Sequence, residues 1–100
     1  MHPVKRIEII ANSVELAKIV DGLEKAGVPG HTVIPNVVGK SERGGASDEL
    51  INNVYVIAFC PPEQVKPVVE IIKPILNKFG GLCFISDGME IRSVRCVSSL

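Results

Sequence analysis

Lys5-Arg6-Ile7-Glu8-Ile9-Ile10-Ala11-Asn12 decides the fold, because a strand-like alternation runs into a residue suited to start a helix. Ile7, Ile9 and Ala11 fall on one side of an extended chain and Arg6 and Glu8 on the other, the pattern of a half-buried strand. Asn12 is placed to cap the next helix, with Glu15 three residues later as its capping-box partner. Leu16, Ile19, Val20, Leu23 and Ala26 then recur at helical spacing, and Gly27 supplies the left-handed residue that ends the helix. Beyond Gly30, the β-branched run His31-Thr32-Val33-Ile34-Pro35-Asn36-Val37-Val38 reads as a second strand. Pro35 has no N–H for a ladder, so this strand lies at a sheet edge or carries a bulge.

The second half repeats the plan. Val54-Tyr55-Val56-Ile57-Ala58-Phe59-Cys60 is almost wholly apolar, as expected of a central strand. Pro61-Pro62 opens a helix whose apolar face is Val65, Val68, Val69, Ile72, Ile75, Leu76 and Phe79. Pro67 and Pro74 fall inside that pattern and predict a late start, a kink or a break. Gly80-Gly81 stop the helix, Leu82-Cys83-Phe84-Ile85-Ser86 forms another strand, and 91–97 alternates as a last extended piece. Between the halves, Gly39 to Asn53 is polar and glycine-bearing, a long mobile loop of the kind that usually carries function. The order β-α-β, loop, β-α-β predicts an α+β ferredoxin-like βαββαβ fold, with two helices on one face of an antiparallel sheet. The other face stays open, and on so short a chain that favours an oligomer.

The composition narrows the function. One hundred residues make one domain, 1–100, and 46% apolar side chains with zero net charge exclude a disordered chain. Zero net charge, one Tyr, three Phe and no Trp argue against nucleic acid as a partner. The N-terminal stretch reads as leading straight into a strand without an export signal, and Cys60, Cys83 and Cys96 sit among apolar neighbours. They read as reduced core thiols of a cytoplasmic protein and not as a disulfide framework or zinc site. No hydrolase or metal constellation stands out: His2 and His31 are far apart, and Asp21, Glu24, Glu63, Glu70 and Glu90 are scattered.

Two glycine-bearing turns suggest anion binding. Gly39-Lys40-Ser41-Glu42-Arg43-Gly44-Gly45 follows a strand, and its glycines would let amides approach a phosphate while Lys40 and Arg43 supply charge. It is not a P-loop, because it lacks the glycine spacing before the lysine and no helix follows. Lys78-Phe79-Gly80-Gly81 stands at a helix end, where no helix dipole helps an anion. Arg92 and Arg95 are three positions apart and point to opposite faces of a strand. The plain alternative for each of these pieces is a solvated turn or surface charge.

The chain as a whole resembles the PII signalling superfamily. The most specific likeness is Gly27-Val28-Pro29-Gly30-His31-Thr32-Val33, with the glycine-basic turn next, while 84–95 is similar to the family's closing strands. That resemblance implies a homotrimer that binds adenine nucleotides in clefts between subunits. It places Thr32 and Val33 by the adenine and the backbone of Phe59 and Cys60 along the base. Gly39, Lys40 and Arg43 match the base of the family's T-loop, here about 39–53, and Gly80 and Gly81 match its phosphate-holding B-loop. Arg95 matches a phosphate-contacting arginine, and Arg92 lies out of register.

The departures from the family pattern carry equal weight. The loop is short and has neither tyrosine nor glutamine, which removes the usual uridylylation target and a residue that helps hold magnesium and 2-oxoglutarate. The B-loop is reduced to Gly80-Gly81, favouring AMP, ADP or cyclic AMP over ATP. This is similar to the divergent SbtB and carboxysome-associated PII-like branch, whose members sense adenylates and, in some cases, bicarbonate. SbtB regulates a bicarbonate transporter. The cysteine-bearing tail of some SbtB proteins has no counterpart here. The resemblance implies a non-enzymatic cytoplasmic regulator that needs no cofactor beyond its effector and reaches the membrane only through a transporter partner. Two other readings stand beside it. One is slow ATP or ADP hydrolysis in the same cleft, with Glu42, Asp48 and Glu49 holding a metal ion or water; the other is a nucleotide-free trimer resembling CutA.

Overall fold

The computed structural model describes residues 1–39 and 52–92. Four strands, β1 (His2–Asn12), β2 (Thr32–Val37), β3 (Asn53–Cys60) and β4 (Leu82–Glu90), form one antiparallel sheet in the order β2-β3-β1-β4. Helices α1 (Leu16–Lys25) and α2 (Val65–Phe79) complete the ferredoxin-like pattern. The register sets Ile7 against Ala58 and Ile85, and Ile9 against Val56 and Cys83. One face of the sheet is therefore continuous and apolar, and Ile7, Ile9, Val56 and Ala58 are buried in it. Ile19 and Leu23 of α1 and Val68 and Ile72 of α2 close over that face, and each large aliphatic side chain removed from water contributes about 1.5–3 kcal/mol.

Most chain punctuation acts as its chemistry predicts. Asn12 Oδ1 accepts the Val14 N–H at 3.1 Å and caps a 3-10 turn, Ser13–Glu15, that leads into α1. Glu15 does not close a capping box; its carboxylate faces Lys18 at 3.1 Å. At the far end of α1, the Val28 N–H donates to the Leu23 carbonyl and the Gly27 N–H to Glu24, with Gly27 at φ +86°. This is the Schellman arrangement, which satisfies carbonyls that a helix end leaves open. Pro35 resolves in both expected ways: β2 is an edge strand, and its pairing slips between Ile34 and Val37, where Asn36 adopts φ +60°. β3 is internal, as its apolar run requires.

One sequence expectation is met by the first of its alternatives, and another changes. α2 starts late, after a 3-10 turn at Pro62–Gln64, but runs unbroken through Pro67 and Pro74. Pro67 lies in the first turn, where an N–H has no helical partner to lose. Pro74 and Glu70, whose carbonyl it leaves without a donor, are both exposed, so water can satisfy that oxygen. In the second case, β4 does not end at Ser86 but continues through Asp87 and Gly88 to Glu90, pairing with β1 as far as His2. Ile91 and Arg92 follow outside the strand. The expected loop at 39–53 falls largely on residues outside the described ones, as does the last extended piece beyond Arg92.

Candidate functional site

The sheet distributes the sequence-predicted ligand residues between its two ends. At one end, where Asn12 faces Asn53 and Ile10 faces Leu82, stand Gly39 after β2 and Gly80-Gly81 before β4. Towards the other end, Thr32 faces Ile57, Phe59 faces Arg6 and Cys60 faces Lys5; Arg92 follows β4 there. Ile10, whose carbonyl oxygen abuts Gly81, is four residue steps from Arg6 along β1, roughly 14 Å at about 3.4 Å per step. One chain thus does not gather these residues around a single small ligand. Lys40, Arg43 and Arg95 lie outside the described residues.

The local environments decide what each group can offer. Thr32 is exposed and Val33 half-buried. Cys60 is 1% exposed, so its thiol meets no ligand from solvent. Burial pushes the Cys60 thiol above its ordinary value; Glu63 adds to the rise and Lys5 opposes it. Burial alone raises Cys83. Both thiols therefore stay protonated and act as core side chains. Gly80 and Gly81 both have positive φ, +86° and +117°. The Gly80 N–H is committed to the Leu76 carbonyl at 2.8 Å.

Two concave surfaces border these groups. A groove of about 620 Å³ runs between α2 and β4; Ile72, Leu76 and Phe84 line it, with Lys73, Asn77 and the glycine pair as its polar elements. A smaller hollow of about 340 Å³ lies at the opposite end, against Arg6, Phe59, Gly88 and Met89.

The sheet face away from the helices carries features that sequence reading passed over. Tyr55 donates its hydroxyl to Glu8 Oε2, and Glu8 Oε1 lies 3.0 Å from Arg6 Nε. Around this polar island the face is apolar, with Leu82 55% and Phe84 59% exposed. Cross-strand placement alone brings Glu8 and Tyr55 together, so no local motif could have flagged them. Among the described residues, no group of three or more His, Cys, Asp or Glu side chains could hold a metal ion. Among the same residues, no helix is long and apolar enough to cross a membrane.

Comparison with known proteins gives this geometry a context. The family model for nitrogen regulatory protein P-II matches residues 4–96. A structure of CPII, a nitrogen regulatory PII-like protein from Thiomonas intermedia K12 bound to ADP, AMP and bicarbonate, superposes with a TM-score of 0.81 at 30% identity. That match covers 93% of this chain and 98% of CPII. The apo form of CPII gives a TM-score of 0.74 at 29% identity, over 87% of this chain and 90% of that one. A PII-like signalling protein from Thermus thermophilus shares the fold, with a TM-score of 0.70 at 19% identity and coverage of 87% and 88%. No curated protein sequence matches the chain.

Proposed function

The chain belongs to the nitrogen regulatory protein P-II family, and on that premise we propose that it is a trimeric, non-enzymatic regulator that binds adenine nucleotides between neighbouring subunits. The observation that carries this reading is the likeness, over almost the full length of both chains, to a PII-like protein bound to ADP, AMP and bicarbonate. The division of the ligand residues between two ends of the sheet supports it. Gly39, Gly80 and Gly81 of one subunit need Thr32, Phe59 and Arg92 of another to complete a site. The apolar face bearing Leu82 and Phe84 gives such subunits a surface to bury.

In this proposal, the nucleotide contacts Lys40 or Arg43 at the base of the loop 39–53 and shifts that loop between two states. The loop then presents a different surface to a partner in the cytoplasm. Its partner would be a membrane transporter for inorganic carbon, with bicarbonate as a second ligand. Coupling extends only as far as the nucleotide's affinity differs between the two loop states. Titration calorimetry with AMP, ADP, ATP and cyclic AMP, with and without bicarbonate, tests the reading. Sub-millimolar binding of AMP or ADP is expected, and the absence of binding by every adenylate would overturn it.

A further inference from the structure

The two edges of the sheet, β2 and β4, differ in how far they are protected. An edge strand turns alternate N–H and C=O groups outward, unpaired, and proteins blunt such edges with proline, charge or bulges. At the β2 edge Pro35 offers no N–H, and the pairing slips between Ile34 and Val37, where Asn36 sits at φ +60°. The first half of β4 has no such device. Residues 82–86 include neither proline nor charge, and the register of β4 with β1 runs unbroken from Leu82 to Glu90.

This bare edge is also one wall of the groove of about 620 Å³ between α2 and β4. Residues 82–85 line it over three residue steps, roughly 10 Å at about 3.4 Å per step, enough to pair with about four residues of an added strand. Every second side chain of such a strand would turn towards Ile72 and Leu76. Among the described residues, Lys73 is the one charged side chain lining the groove; it is exposed and meets no carboxylate. A second copy of the chain answers that charge poorly. Its β2 edge is interrupted at Pro35, its β4 brings no acid within 82–86, and Asp87 is already paired with Lys5. The groove suits a segment that carries its own carboxylate.

We propose that the β4 edge and the groove beside it take up an extended, acid-bearing segment of a partner protein as a fifth strand. The main chain of that segment hydrogen-bonds to the outward groups of 82–86, its apolar side chains fill the groove, and its carboxylate pairs with Lys73. Main-chain pairing supplies the affinity in this mode of recognition, and the side chains supply the selectivity. The inference does not rest on the adenylate reading above, because it needs only the edge, the groove and one cation.

Amide chemical shifts and hydrogen exchange of the full chain test this with three peptides. The first is acetylated and amidated Thr-Val-Thr-Asp-Thr-Val-Thr, the second has lysine in place of its aspartate, and the third is the acidic peptide N-methylated throughout. The acidic peptide is expected to shift and protect the amides of 82–86, and the N-methylated form to leave them unchanged. The wild type should prefer the acidic to the lysine peptide about threefold, as a solvated ion pair allows, and K73E should invert that preference. Lys73 is exposed, so K73E removes the charge without disturbing the core. Failure of the acidic peptide to protect 82–86 overturns the inference, as does binding that survives N-methylation or a preference unchanged in K73E. Outward amides of 82–86 already protected in the free chain also overturn it. The edge is then occupied by a second copy if dilution releases the protection, and by residues beyond Arg92 if it does not.

Discussion

The side-chain amide of Gln64 donates to the main-chain carbonyl of Ala26 at 2.6 Å, tying the turn that opens α2 to the residue that closes α1. Ala26 is 2% exposed, so water cannot replace this bond. Gln64→Ala should therefore cost about 1–3 kcal/mol, the range for stranding a buried acceptor. Gly27 shares the contact: at φ +86°, a Cβ there would come within 2.5 Å of Gln64 Nε2. Gly27→Ala meets both a left-handed backbone and this clash, and a loss of about 2–3 kcal/mol is expected. In the double variant the clash disappears while the backbone strain remains, so the combined loss should fall short of the sum. Denaturant unfolding at one fixed protomer concentration reads all three values.

The two glycines before β4 should separate cleanly. Both have positive φ, so alanine at either place carries a backbone-strain penalty of about 1–3 kcal/mol. Only at Gly81 is space also lacking: a Cβ would lie 3.0 Å from the Ile10 carbonyl oxygen and 3.1 Å from Leu76 Cδ2. Gly81→Ala should be the more destabilising by a further 1 kcal/mol or so, from overpacking against backbone. Thermal unfolding of the two variants side by side checks the order, and equal losses would contradict the close approach.

These examples mark how far the sequence could be read. Ile7, Ile9 and Ala11 announced β1, and Leu16, Ile19 and Leu23 announced α1, because burial on one face imposes periods of two and 3.6 directly on the residues. β4 was harder. Asp87-Gly88 has the composition of a turn, yet Gly88 lies opposite Val4 and Asp87 forms an ion pair with Lys5 across the ladder. Those partners come from the start of the chain, and local composition carries no trace of them. The candidate site divides the same way. The glycine turns could be found from composition, whereas the bond of Tyr55 to Glu8 exists only once distant elements pack.

Tyr55→Phe tests the polar island on the open sheet face. The substitution keeps the ring and removes only the hydroxyl that Glu8 accepts, leaving Arg6 as the carboxylate's neighbour. Bonds to charged groups contribute about 1.5–3 kcal/mol. Glu8 is partly solvated, with its side chain 24% exposed, so the lower end of that range is expected. If subunits pack through this face, the loss should grow as the assembly forms, because Glu8 is then desolvated further. Sedimentation of the wild type and variant over a concentration series separates a weakened fold from weakened assembly.

Alkaline pH should destabilise the protein through two thiols, the buried Cys60 and the partly buried Cys83. Burial raises both Cys60 and Cys83 above the ordinary thiol value of 9.0. Between that value and the raised one, the unfolded chain has released protons that the folded chain still holds. The folded state binds more protons in this window, so stability must fall as pH rises. The contribution is fully present below about pH 9 and is lost as pH climbs through the raised values. The slope is bounded at about 1.4 kcal/mol per pH unit per thiol. Denaturation midpoints measured from pH 7 to 10.5 should be flat at first and then decline. The deciding comparison is Cys60→Ala/Cys83→Ala, which removes the two shifted thiols. Its absolute stability will be lower, from the space each substitution leaves, but its decline above pH 9 should be shallower than that of the wild type. Identical slopes would mean that the thiolates form without unfolding the core.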